Sequence, residues 1–157
     1  MSGCAPAGSP PRFPLFVSLV GARCLVVGAG AVGRRRAEAL ASHGAVVRVV
    51  DPRAAEAWAN EAAPGSVELV LRPFLPGDEE SCSLAVAATS DRETNRLVGE
   101  RCRAAGIPVS VADAPDECTF FFPALCETED LSVGVVSRGG DHALVARVAE
   151  AIRALIA

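Results

Sequence analysis

The residues best placed to do chemistry begin with a glycine cluster, Gly28-Ala29-Gly30-Ala31-Val32-Gly33, which follows the apolar run Cys24-Leu25-Val26-Val27. The spacing is G-x-G-x-x-G between a predicted strand and a predicted helix. Each glycine then has a mechanical reason: the first for a tight turn, the second for close approach of a pyrophosphate, the third for helix packing on the strand. The helix start presents free amides and a partial positive charge to phosphate. Asp51 stands eighteen residues past Gly33, at the end of the next apolar run, and is followed by Pro52. A carboxylate there accepts hydrogen bonds from both ribose hydroxyls and repels a 2′-phosphate, which points to NAD as the cofactor. Arg53 is the opposing feature, because a neighbouring arginine could accommodate that phosphate.

Other residues carry two readings each. Thr89 and Ser90 end a predicted strand and could bond the cofactor's ribose, or could cap the helix that starts near Asp91. Asp113 lies just outside the carboxyl end of the last predicted strand, where open parallel sheets place function; it is also good turn chemistry in Asp113-Ala114-Pro115. Arg34, Arg35 and Arg36 open the first helix, where cations oppose the helix dipole; Arg34 or Arg35 faces a ligand acid, or both are solvated. His43 ends that helix as a dipole-compatible surface residue.

The elements that must position these groups follow from hydrophobic period. Predicted strands cover Cys24–Val27, Val46–Val50, Val67–Leu71, Leu84–Ala88 and Ile107–Ala112. Predicted helices cover Ala31–His43, with Val32, Arg36, Leu40 and His43 at helical spacing and Gly44 as a stop, and Asp91–Ala105; a short Ala/Glu/Trp segment lies between the second and third strands. This alternation predicts an α/β fold, a Rossmann-type doubly wound parallel sheet. Beyond Asp113 the pattern becomes two strands, at Thr119–Phe122 and Leu131–Val136, and an amphipathic helix over Asp141–Ile156 with face Leu144, Val145, Val148, Ile152 and Leu155. Such a unit buries too little surface alone, so it is expected to pack on a second copy of itself. The expected organisation is a disordered tail over 1–12, an NAD-binding domain over 13–113 and a small α+β dimerisation unit over 114–157.

Bulk properties bound the remainder. A chain of 157 residues holds one full core plus a small appended unit. Net charge is −4, with fifteen basic against nineteen acidic residues, so no global field recruits nucleic acid or an anionic membrane. No apolar run is long enough to span a bilayer, and no secretory signal is read at the start. The six cysteines form no C-x-x-C pair and several sit in apolar runs, so no metal site is expected and a reducing cytoplasm fits.

Five segments together resemble the precorrin-2 dehydrogenase family, which includes the amino-terminal part of siroheme synthases. They are Phe13-Pro14-Leu15-Phe16; Gly28 to Gly33; Ala87-Ala88-Thr89-Ser90-Asp91 with Asn95; Val109 to Pro115 running into Phe120-Phe121-Phe122-Pro123-Ala124; and Val133 to Gly140. The resemblance implies a homodimer that oxidises the tetrapyrrole precorrin-2 to sirohydrochlorin with NAD, and it aligns Asp113 with the family's active-site aspartate. That residue's implied role is proton acceptor. Family members with a second activity also insert ferrous iron into sirohydrochlorin. The polycarboxylate substrate implies basic or amide donors near the last helix, for which Ser137, Arg138, Gly139 and His142 are the candidates, with Arg147 either a further contact or solvated surface. Here the sequence reads Asp141-His142-Ala143 where the family commonly has a small hydroxyl residue and a proline. The rival from another class is a non-catalytic NAD(H)-sensing module.

Overall fold

The computed structural model describes residues 10–157. The expected tail falls, for residues 1–9 and hence Cys4, outside the described residues. Its last member, Arg12, is held in place: its Nη1 donates to the Ser137 carbonyl at 2.8 Å and its guanidinium lies 3.5 Å from the centre of the Phe121 ring.

Two compact units are described, one spanning 17–120 and the other joining 121–157 to residues 10–16. In the first, strands β1 (Arg23–Val27), β2 (Val46–Val50), β3 (Val67–Val70), β4 (Leu84–Ala87) and β5 (Val109–Val111) form one parallel sheet in the order β3-β2-β1-β4-β5. The order reverses between β1 and β4, and this is where an open α/β sheet leaves a crevice at its carboxyl edge. Helix α3 (Arg92–Ala104) covers the face of Leu25, Val27, Ala85, Ala87, Val109 and Val111 with Val98 and Cys102. Helix α1 (Ala31–Ser42) covers the other face. Strands buried on both sides account for the near-continuous apolar runs.

The buried stripe of α1 is Gly33, Ala37 and Leu40 rather than the expected Val32, Arg36, Leu40 and His43. Close approach of the start of α1 to the Gly28 turn leaves no room for a side chain at position 33, since a Cβ on Gly33 would lie 1.9 Å from the Gly28 carbonyl oxygen; Val32 stays 37% exposed. Helix α2 is a single turn, Ala54–Ala57. It is tied to α1 by Arg34, which donates to Glu38 at 2.8 Å, to the Ala57 carbonyl at 2.5 Å and to Glu61 at 3.2 Å.

The strand expected at Thr119–Phe122 is absent. β5 is an edge strand, and residues 114–120 cover that edge: Thr119 N donates to the Val109 carbonyl at 2.9 Å, Val109 N donates to Thr119 Oγ1 at 2.8 Å, and Val111 N donates to Cys118 Sγ at 3.1 Å. This segment therefore belongs with the first unit, and the boundary expected after 113 lies at 120. The following strand, β6 (Ala124–Glu127), starts only after Pro123 and pairs antiparallel with β7 (Ser132–Val135). Helix α4 (His142–Ile156) packs on that hairpin through Ala149, whose carbonyl accepts from Cys126 Sγ at 3.4 Å. Among the described residues no helix is long and apolar enough to cross a membrane.

Between β3 and β4 the chain is fixed by two buried carboxylates. Asp78 takes a two-pronged contact from Arg72, at 2.7 and 2.8 Å, and a bond from Leu75 N at 2.9 Å. Arg72 holds the Asp78 carboxyl below its ordinary value. Burial pushes Glu79 upward, but backbone amides, Gly77 N among them, and Arg101 outweigh it and leave this carboxyl lowered too. Carboxyls depressed in the folded state stabilise it fully above their unfolded pKa and lose that contribution as pH falls through the folded value. Urea midpoints should therefore be flat from neutral pH down to about 5 and decline below about 4, the ordinary carboxylate range. Asp78→Asn should be less stable at neutral pH and should flatten the decline; a midpoint that rises on acidification would contradict this.

Candidate functional site

A cleft of about 560 Å³ opens at the carboxyl edge of β1, β2 and β4, lined by Ala29, Gly30, Asp51, Pro52, Thr89 and Ser90 among others. Six of the ten residues expected to hold the cofactor thus meet in one cavity. The other four, Gly28, Ala31, Val32 and Gly33, do not line it.

Two of these four act through packing. Gly28 has φ +100° and the backbone of Ala88 so close that a Cβ would sit 2.4 Å from its carbonyl oxygen, so only glycine fits this turn. Gly33 lets α1 touch the turn, as described above. Gly30 differs, because its φ of −67° suits any residue and a Cβ there would meet nothing within 4 Å. Inside the protein its missing side chain relieves no clash, and the space it leaves lies on the cleft, where a pyrophosphate could reach the backbone.

The start of α1 supports the same use. Helices α3 and α4 are capped by Asp91 and Asp141, which accept from Thr94 N at 3.0 Å and Leu144 N at 2.8 Å. The N-cap of α1 is Gly30, with no side-chain cap and no acidic residue in the first turn. Its first amides keep their demand for an acceptor, which phosphate oxygens satisfy. The residues present therefore fit a dinucleotide.

Asp51 closes the turn from the β2 side. Its Oδ2 accepts from Ala29 N at 2.8 Å and its Oδ1 from Arg53 N at 2.7 Å, which fixes the carboxylate at the cleft with lone pairs left for ribose hydroxyls. The Arg53 side chain turns to Glu56, with bonds of 2.6 and 2.9 Å, and Glu56 also lines the cleft.

Thr89 is held by a residue to which the sequence assigned no role. Asn95, fully buried on α3, accepts from Thr89 N at 2.9 Å and donates from Nδ2 to the Thr89 carbonyl at 3.0 Å. The Thr89 hydroxyl accepts from Asp91 N at 3.1 Å and lies 2.8 Å from Asn95 Oδ1, so it shapes the turn while Asp91 does the capping. A polar residue at the Asn95, Val98, Gly99, Cys102 spacing of a buried helix face was the available signal. Pro73 and Phe74 form an apolar wall that the sequence did not single out; the signal was an aromatic among turn residues, which must bury somewhere.

Asp113 follows β5 on the same carboxyl edge of the sheet and is not among the cleft-lining residues. The strand end is fixed by Ala112 N donating to the Ala87 carbonyl at 2.9 Å, and the chain turns back with Ala114 N on the Val111 carbonyl at 3.3 Å. The Asp113 side chain is 39% exposed, and its Oδ1 lies 3.4 Å from Arg92 Nη1. In the second unit, Ser137 Oγ accepts from Gly139 N at 3.2 Å and from Asp141 N at 3.0 Å, building the turn before α4; Arg138 and His142 are exposed beside it. Arg34 is bonded to the Ala57 carbonyl of α2 and to Glu61.

A crevice at the strand-order reversal, a glycine turn at a helix start and an acidic strand end define a dinucleotide-binding α/β domain. Residues 15–124 match the family described as "Putative NAD(P)-binding", and the chain belongs to that family. Over 138 residues it is 41% identical to siroheme synthase of Azotobacter vinelandii and 43% identical to siroheme synthase of Pseudomonas aeruginosa, covering 88% of this chain in both cases. The chain spans 30% of the length of these relatives. Its fold is similar to the solved structure of SirC, precorrin-2 dehydrogenase, with a TM-score of 0.71 and 23% identity over 91% of this chain and 70% of that one.

Proposed function

We propose that the chain oxidises precorrin-2 to sirohydrochlorin with NAD as hydride acceptor, a step of siroheme formation, and that Asp113 is its general acid/base. The observation that carries this reading is a cofactor cleft and an ionisable carboxylate on one carboxyl edge of the sheet, in a chain 41–43% identical to siroheme synthases. NAD bound in the cleft supplies the acceptor for the hydride. The Gly28–Gly33 turn and the α1 amides would hold its phosphates, Asp51 would receive the ribose hydroxyls, and Asn95 keeps Thr89 in place at the cleft. Asp113 takes up the proton that leaves as the hydride departs, so that precorrin-2 and oxidised cofactor yield sirohydrochlorin, NADH and a proton. Anaerobic incubation with precorrin-2 and NAD tests the reading: sirohydrochlorin should form, and folded, NAD-binding protein that forms none would contradict it.

Selection of NAD over NADP rests on Asp51 and on the engagement of Arg53 by Glu56, which leaves net negative charge where a 2′-phosphate would lie. Asp51→Asn is expected to weaken NAD about tenfold or more, the worth of a hydrogen bond to a charged group, and to narrow the margin over NADP. Titration of both cofactors against the variant checks this; an unchanged NAD affinity would remove Asp51 from the site.

For the substrate's acids the exposed candidates are Arg138 and His142, on the turn that Ser137 and Gly139 shape. We also place a second copy of the chain against α4. Val145, Ala149 and Ile152 turn toward the hairpin, whereas Leu144, Val148 and Leu155 are 40%, 37% and 83% exposed. Sedimentation should give a dimer that Leu155→Asp weakens. The five described cysteines are free thiols, in keeping with a cytoplasmic setting.

A further inference from the structure

Arg92 occupies the first position of α3, directly after the N-cap Asp91. A cation in a helix's first turn opposes the helix dipole, so helix stability gives no reason for an arginine there. Its side chain instead spans two carboxylates on another segment of the chain. Nη1 is 3.4 Å from Asp113 Oδ1, and Nη2 is bonded to Glu117 Oε1. Glu117 is a firm anchor. It sits in the 3-10 turn Pro115–Glu117, its amide donates to the Ala114 carbonyl at 3.0 Å, and its own carbonyl accepts from Arg103 at 2.7 Å. Its other oxygen, Oε2, is buried with no hydrogen-bond partner, so the side chain depends on Arg92.

We propose that Arg92, anchored by Glu117, is a positioning residue that orients the Asp113 carboxylate for proton transfer. The proposal rests on the reading of Asp113 as acid/base. The planar guanidinium can face two carboxylates at once, which an ammonium on a flexible stem does with less control of direction. The contact engages Asp113 Oδ1 and leaves Oδ2 outside the pair, as a proton acceptor requires.

The alternative is a clamp that merely ties α3 to the segment after β5. Steady-state turnover of the full chain with precorrin-2 and NAD separates the two. Arg92→Gln should lower kcat roughly tenfold, the scale on which misplacing a reacting group acts, with KM for NAD unchanged and the thermal midpoint within a few degrees. Arg92→Lys should recover part of the loss. In an Asp113→Asn background, Arg92→Gln should cost nothing further, because its effect runs through that carboxylate. Glu117→Gln, which keeps Arg92 but removes the anchor, should lower kcat as well and serves if Arg92→Gln does not fold. Unchanged kcat in these variants, or an equal loss with and without Asp113, would overturn the proposal. Full turnover by Asp113→Asn alone would instead overturn the acid/base reading on which it rests.

Discussion

Asp113→Asn should fold, bind NAD with wild-type affinity and lose about a hundred- to ten-thousand-fold in kcat, the usual contribution of a positioned acid or base. The substitution is nearly isosteric, and the side chain is 39% exposed with a single long contact to Arg92, so little of the fold depends on it. Cofactor affinity should survive because the residues lining the cleft come from the ends of β1, β2 and β4, the segment after β3, α2 and the start of α3, and Asp113 is not one of them. Kinetics and NAD titration on the same preparation check both halves. Loss of NAD binding together with turnover would mean that Asp113 supports the cleft; retained turnover would return it to the role of a turn residue.

The second large effect is a contrast between two glycines three residues apart. Gly33→Ala puts a methyl group 1.9 Å from the Gly28 carbonyl oxygen, backbone that cannot swing aside. Helix and turn must separate, so the variant should lose on the order of 2 kcal/mol or more of stability, as overpacked sites do, and its NAD binding with it. Gly30→Ala meets no atom within 4 Å and keeps an allowed φ of −67°. It should cost no more than about 1 kcal/mol, the penalty for alanine at an N-cap, yet weaken NAD by tenfold or more because the methyl group enters the space kept for the pyrophosphate. Denaturant unfolding and NAD titration on both variants form the check. If Gly30→Ala bound NAD as well as the wild type, the cleft would not hold phosphate in the way described.

The parallel sheet and the cofactor turn were legible because each depends on local pattern. Cys24–Val27 running into Gly28, and Val46–Val50 running into Asp51, carry their own strand ends, and the structure puts those ends at one cleft. The inner face of α1 was not legible by hydrophobic period, since a helix pressed against a sheet selects for small residues, and Gly33 and Ala37 score as weakly apolar. Residues 119–122 look like a strand by composition, yet Thr119 and Cys118 are spent on the open edge of β5, a demand that no period reveals. The Arg92 contacts join residues 21 and 25 positions apart, and the Asn95 clamp depends on how α3 faces the end of β4. Local spacing does not predict such meetings until the sheet order is known.

Hydride transfer from precorrin-2 to NAD, as proposed for this chain, would release NADH and sirohydrochlorin together. The measurement that tests it most directly is a single anaerobic time course, following NADH and sirohydrochlorin absorbance together after wild-type protein is mixed with both reactants. The two products should rise at the same rate and in equal amounts, and neither should rise without NAD. Protein that is folded and saturated with NAD but yields neither product, or sirohydrochlorin that forms without NADH, would contradict it.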